Sequence, residues 1–564
     1  MSIPSVLAAL ALTAPQHVRL APCGPLDTTR CVLWNDASGG SGLQAQYGFE
    51  QTLIYSEVAE TYSAASPLGT SYRARFAGLF PYTDYLYRVG GGGATSDTAT
   101  FSTPTKTGDG CLPVGFIALG NSRSESSSGA AFNWTTALAE AESAMPVLDT
   151  FGKVKPALLI HTGHLVKDGA SAEQWHDFLT RSGAPLTRIP LIAAPSETDL
   201  AAGGGLFNAV TGATLGSEPA PVAGIGRSAA VTFGEVLIVV LDTELGTGND
   251  FTALASWLDQ LLTSTTRRFT IVAMHRPAYS AFGQSGIFPV GAKPNEVDHN
   301  ELLVPVFDKH AVDLVLQGRG NYYQRFVPMK YDPLKPDQGD PVEIGGTTYV
   351  VTGAAGGLSL APFKLGSSRV DPLAEICPKA NGSIVCDGRQ HVIVLWTEGQ
   401  SLKAEVWATS GQNDTIGPEN IALIDSFEFT SAAPLDCGPG PIPDTETPDA
   451  ETPDAGPSDT ESPDAGPIDE LDVASPPDVD DAPDAVELAA DSSSASPDTA
   501  SGTGEVSSAE GPDFTANDDV SATPASTDGG CQSGSGAPTT TLSWLAILVA
   551  LGLRRRMALR KRPH

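Results

Sequence analysis

The sequence predicts an α/β protein, a domain whose sheets are covered by helices, preceded by a small antiparallel β-sandwich and followed by an acidic segment that does not fold. Three observations predict it. Period-two alternation split by Gly, Pro and Ser clusters runs through residues 15–105. Near-continuous apolar β-rich runs then alternate with amphipathic helical windows through residues 111–432. Residues 433–538 are Pro, Asp, Ser, Thr and Ala with hardly an aromatic.

The run from Ser5 to Ala14 is short, apolar and ends in small residues, so residues 1–14 are expected to be a signal-like segment outside the fold. The next stretch reads as short strands, with alternation at Tyr72–Leu79, Tyr85–Val89 and Thr98–Thr103. Leu79-Phe80-Pro81-Tyr82-Thr83-Asp84-Tyr85-Leu86-Tyr87-Arg88-Val89 resembles a stretch of fibronectin type III modules. A buried Tyr there is expected to pack and hydrogen-bond structurally.

Strands are expected at Val114–Leu119, Ala157–His161, Val236–Asp242, Phe269–His275, Val312–Gln317 and Thr348–Thr352. Helices are expected at Phe132–Ala144, Glu173–Ser182, Phe251–Ser264 and Glu301–Lys309. In such layouts sites collect in the loops just past the carboxyl ends of strands.

The net charge is −33, from 66 acidic and 33 basic side chains. No Lys or Arg occurs from Asp436 to Leu553, so most of the excess negative charge lies in a segment whose like charges and prolines should keep it extended. No cationic cluster suits nucleic acid. The apolar run Thr541–Leu553 is short for a full span and is followed by six basic residues. Residues 539–564 are therefore expected to anchor or sort the chain at a membrane. Gly529-Gly530-Cys531, the apolar run and the arginines together resemble C-terminal sorting segments common in myxobacterial surface proteins. An exported protein at the cell surface or outer membrane is the expectation.

Cys23/Cys31 and Cys377/Cys386 are spaced like hairpin-closing disulfides, and Cys111 and Cys437 flank the central region and could staple its ends. Cys531 is then left over, and no CxxC pair suggests zinc. Buried free thiols are the alternative.

The strand-end loops, taken in order, are Gly120-Asn121-Ser122-Arg123, Gly163-His164-Leu165-Val166-Lys167, Pro195-Ser196-Glu197-Thr198, His275-Arg276-Pro277, and Gly318-Arg319-Gly320-Asn321 running on to Arg325. Their order, spacing and flanks, among them Val239–Glu244, resemble the five blocks of calcineurin-like metallophosphoesterases, and among these the purple acid phosphatases with an N-terminal fibronectin-like module. The resemblance implies an α/β/β/α sandwich and phosphate-ester hydrolysis by two divalent metals such as Fe, Zn or Mn. The ligands depart from that pattern. Asn121 stands where the first Asp is expected and His164 at the bridging Asp. Lys167 replaces a Tyr, Ser196 the metal-binding Asn, and Glu197 the His that usually protonates the leaving group or holds the phosphate. Arg319 and Asn321 replace the last two histidines, and His275 alone is retained. Arg cannot donate a lone pair, and cations at the loop tips repel metals. No di-metal cofactor and no hydrolysis are therefore expected.

For the altered pocket the sequence leaves several outcomes. Arg319 and Lys167 could pair with Glu197 or Asp168 and only hold the fold together. Lys167, Arg319, Arg123 and Arg325 could grip a phosphorylated or other anionic ligand. His164, Glu197 and His275, with Asp199 near in sequence, could hold one metal, and a phosphoric monoester hydrolase with that rearranged site is the enzymatic alternative. A purely structural surface module is the remaining one.

Overall fold

A computed structural model of the chain describes residues 14–36, 42–63, 67–91, 94–122, 134–212, 225–245, 250–265, 267–281, 297–356, 364–365, 368–369, 377–409, 421–435 and 437. The signal-like segment up to Thr13, Arg123, the stalk beyond Cys437 and the anchor lie outside the described residues. Among those described, no helix is long and apolar enough to cross a membrane.

The first domain is an antiparallel sandwich. One sheet orders Gln16–Ala21, Thr29–Asp36, Thr70–Ala77 and Glu60–Ser63. The other centres on Gln44–Gly48 and Asp84–Gly91. Alternation sorts the faces: Tyr72, Ala74 and Phe76 are buried, while Arg75 and Ala77 on the same strand are exposed. Trp34, Tyr47, Phe76, Tyr85, Tyr87 and Phe101 fill the core. Tyr85 accepts from the Phe80 N–H at 2.8 Å, closing a corner. Tyr87 instead reaches out and donates to the Thr187 carbonyl of the second domain at 2.8 Å.

Arg19 fixes that contact more firmly. Its buried guanidinium donates to the carbonyls of Val210 (2.7 Å) and Ala209 (2.6 Å), to that of His17 (2.7 Å), and to Asn35 Oδ1 (3.1 Å). Backbone acceptors of one domain thus end on a cation of the other.

The second domain stacks two mixed sheets. The first orders Leu191–Ala193, Pro156–His161, Gly115–Leu119, His391–Glu398, Ser401–Thr409 and Ile421–Thr430. The second orders Ala229–Phe233, Val236–Leu241, Phe269–Met274, Leu314–Gln317, Thr348–Thr352, Tyr323–Phe326 and Ser383–Asp387. The continuous apolar strands are explained by burial on both faces. In Val236–Leu241, Val236, Ile238 and Val240 enter the core between the sheets. Leu237, Val239 and Leu241 pack outward with Leu254, Leu258, Leu303 and Phe307 of the helices Asp250–Ser264 and Val297–Lys309. Leu119 and Leu159 of the first sheet pack likewise on Trp134, Leu138, Trp175 and Phe178 of Trp134–Ala144 and Ala172–Arg188.

Element types follow the sequence expectations closely, with shifts at the ends. The helix expected to stop at Ser182 resumes past a break at Gly183 (φ 29°) and runs to Arg188 with Pro185 inside, because a glycine can take the non-helical turn that restarts it. The three closing antiparallel strands His391–Glu398, Ser401–Thr409 and Ile421–Thr430 were not among the expected ones. The Cys23–Cys31, Cys111–Cys437 and Cys377–Cys386 pairs are all joined, with Cα separations of 5.7, 5.4 and 6.3 Å.

Candidate functional site

Strand register brings the loops together. Leu119, His161 and Ala193 are Cα partners across the first sheet, and Leu241, Met274 and Gln317 across the second. The segments beginning at Gly120, Thr162, Ala194, Asp242, His275 and Gly318 therefore leave from aligned strand ends.

His275 occupies a rigid seat there. It is buried, and its Nδ1 lies 2.8 Å from the Thr162 carbonyl oxygen. A carbonyl only accepts, so Nδ1 carries a proton, and in the neutral ring Nε2 presents its lone pair. No side chain fits beside the ring: a Cβ on Gly163 would lie 2.5 Å from Nδ1, and one on Gly318 would lie 2.6 Å from it. Burial lowers the pKa of His275 to about 4 despite the neighbouring Glu197, so the ring is neutral at pH 7.

Asn121 and Asn321 meet across the gap between the sheets. The Asn121 Nδ2 donates to Asn321 Oδ1 at 2.7 Å, and both side chains are buried. Asn121 (φ 53°), His164 (φ 62°) and Arg319 (φ 60°) all sit in the left-handed region. Non-glycine residues rarely adopt it, and such strain concentrates at functional loops.

Ser196 and Asp199 act on the backbone. The buried Asp199 carboxylate accepts from the N–H groups of His164 (2.7 Å), Val166 (3.1 Å) and Ser196 (3.1 Å), and from the Ser196 hydroxyl (2.7 Å). It ties two loops together and is not turned outward as a ligand. Burial pushes its pKa up to about 6 against the pull of these bonds. His161 is also structural. Gly163 N–H donates to its Nδ1 (3.1 Å), so its Nε2–H donates to Ser122 Oγ (3.0 Å), whose hydroxyl in turn donates to the Leu165 carbonyl (3.0 Å).

The charged groups form a compact cluster. Glu197 Oε2 lies 3.6 Å from His275 Nε2, and Glu197 Oε1 lies 3.4 Å from the Arg319 guanidinium. Burial works against ionisation of Glu197, but His275 and Arg319 outweigh it and hold the carboxyl below its ordinary value. The buried Glu244 accepts from Arg276 Nε (2.9 Å) and Nη2 (2.7 Å) through one oxygen. Burial raises its pKa to about 7 even so. One ligand atom each from Glu197, Glu244 and His275 lies within 4.8 Å of the others.

The sequence named Glu197 and His275 for a single-metal set with His164. The structure groups them with Glu244, while the His164 and His275 rings stand 6.3 Å apart. The signal for Glu244 was its place just past the strand Val236–Leu241, where it served only as flanking text. Lys167 is exposed. Arg325 points elsewhere: its Nε and Nη2 donate to Asp425 at 2.7 and 2.9 Å, so the expectation that it lines an anion pocket is corrected. Arg325 lies inside the strand Tyr323–Phe326 rather than in the loop, which aims it at the neighbouring sheet. A cavity of about 290 Å³ lined by Tyr82, Asp84, Phe151 and Lys153 touches none of these loops.

Residues 15–103 match the family model described as purple acid phosphatase, N-terminal domain. The purple acid phosphatase PPD1 from yellow lupin (Lupinus luteus) seeds superposes with a TM-score of 0.57 at 17% identity, over 74% of each chain. PhoD superposes with a TM-score of 0.52 at 14% identity, over 75% of this chain and 93% of its own. The chain has a purple acid phosphatase-like metallophosphoesterase fold. At these identities the likeness is one of fold. No curated protein sequence matches the chain.

A purple acid phosphatase-like fold implies two metals at the strand ends, and the residues present do not fit them. The positions given by the resemblance to the first Asp and the last His, Asn121 and Asn321, hydrogen-bond each other. Ser196 gives its hydroxyl to Asp199. Arg319 brings a guanidinium to the group where an imidazole would serve as donor. A pair of dications lacks the bridging carboxylate and the imidazoles that the resemblance assigns to these positions.

Proposed function

We propose that this protein is a surface-displayed, non-hydrolytic protein built on the phosphoesterase fold, exported and anchored through residues 539–564 with residues 433–538 as spacer. The 2.7 Å bond between Asn121 and Asn321 carries the non-hydrolytic assignment. Two positions that would face metals are turned onto each other, and neither brings the carboxylate or imidazole with which a metal that activates water would be held. Composition supports display: a Lys- and Arg-free acidic segment leads into an apolar run and a basic end.

The purified full chain, supplied in turn with zinc, manganese and iron, should show no turnover of phosphate mono- or diester reporters above buffer. Turnover abolished by a chelator would defeat the assignment. Cell fractionation should place the chain with membranes, and truncation after residue 538 should release it into the medium.

An anion-binding role for the same pocket has less support, since Arg325 is held by Asp425 and Arg319 faces Glu197. Inorganic phosphate that raises the melting temperature, with the effect lost in Arg319→Ala, would favour it.

A further inference from the structure

The charged cluster contains donors arranged for something other than each other. With Nδ1 of His275 committed to Thr162, Nε2 is the ring nitrogen left to face Glu197 Oε2, 3.6 Å away. Two acceptors that face each other repel unless a proton or a cation lies between them. Glu244 supplies the third group. Its side chain is 3% exposed, one oxygen is held by Arg276, and the other, Oε1, is buried with no hydrogen-bond partner. A carboxylate oxygen left in that state is costly. Glu197 meets Arg319 likewise through a single oxygen, Oε1, at 3.4 Å. Each carboxylate thus leans one oxygen on a guanidinium and keeps the other, which is how ligating carboxylates are commonly oriented from behind.

We propose that Glu197, Glu244 and His275 form a single divalent-cation site of the zinc class, with a fourth position open to solvent beside Glu197. One nitrogen and two oxygens suit zinc better than magnesium, which prefers an octahedral oxygen shell. The ligand atoms lie within 4.8 Å of one another, against about 3.4 Å for neighbours around a tetrahedral zinc. Closing that gap requires Glu197 to swing inward, and its side chain is 45% exposed and able to move. His275 stays fixed by Thr162 and the two glycines. The site is distinct from a di-metal centre because two of its three donors, Glu197 and Glu244, do not stand at positions that the resemblance assigns to metal ligands. It goes beyond the non-hydrolytic assignment and does not depend on it.

The full chain, stripped with a chelator and titrated with zinc in a calorimeter, should bind one equivalent and melt at a higher temperature, with magnesium giving neither effect. Glu197→Gln and Glu244→Gln should each weaken zinc by about tenfold or more. Glu197→Gln lies at a half-exposed side chain and tests the site without risk to the fold. His176→Gln removes the separate His17–His176 pair (2.9 Å) as a rival zinc site and should change nothing. Absent zinc binding would overturn the proposal, and so would binding that survives both glutamate variants or disappears in His176→Gln. Ester turnover by the zinc-loaded chain would defeat the non-hydrolytic assignment and leave this one standing.

Discussion

Asn121 donates its side-chain amide to Asn321 across 200 positions of sequence, joining a loop of one sheet to a loop of the other at 2.7 Å. The bond occupies the space where this fold would otherwise bring metal ligands together. It makes the two loops mutually dependent, because each side chain is buried and neither has water to fall back on.

Asn121→Gly should therefore cost about 1–3 kcal/mol, the desolvation cost of the Asn321 oxygen left behind. Asn121→Ala should cost about 1–2 kcal/mol more, since alanine pays for the left-handed backbone at φ 53° that glycine adopts freely. Denaturant midpoints of the two variants against the parent measure both. Equal values for Gly and Ala would contradict the backbone part, and a neutral Asn121→Gly the bond itself.

Asp199→Asn should loosen the site without touching its surface. The carboxylate receives three backbone N–H groups and a hydroxyl, and an amide turns one acceptor into a donor facing them. A loss of about 3 kcal/mol is expected, the scale of hydrogen bonds to a charged acceptor. Amide exchange at His164 and Ser196 should accelerate more than at Ile271 in the core, and uniform acceleration would show that the carboxylate does not organise these loops.

His161 should resist protonation. Burial lowers its pKa from the ordinary 6.5 to about 3, and its Nδ1 already accepts from Gly163. The unfolded chain takes up the proton near 6.5 while the folded one does not until about 3. The stability this group contributes is therefore complete above pH 6.5 and is lost progressively as the pH falls toward 3. Its ring resonances, assigned against a His161→Gln spectrum, should stay unshifted down to about pH 5; a midpoint near 6.5 would refute the burial argument.

Arg19→Met should separate the domains energetically. The methionine keeps an apolar stem but removes the donors to Val210, Ala209, His17 and Asn35. Burial lowers the guanidinium pKa to about 9, still charged at neutral pH, so charge-assisted bonds are lost. A loss of about 3 kcal/mol is expected. Proteolysis should then release the sandwich before the second domain is degraded, whereas unchanged cleavage would mean that Tyr87 and its neighbours suffice.

By itself the sequence determined the fold class, the type of the elements it named and the strand-end loops that come together. Those follow from local periodicity: Val236–Leu241 reads as a buried strand because every residue in it is apolar, and Thr70–Ala77 as a half-exposed one because its residues alternate. Tertiary structure decided what the loop residues do. Arg325, a candidate pocket cation by its place in the chain, pairs with Asp425; Glu244, which lies outside the five loop blocks, stands beside Glu197 and His275. Hydrogen-bond and ion-pair partners are chosen by strand register and by the stacking of the two sheets, which bring together side chains tens to hundreds of positions apart. No pattern along the chain encodes that pairing.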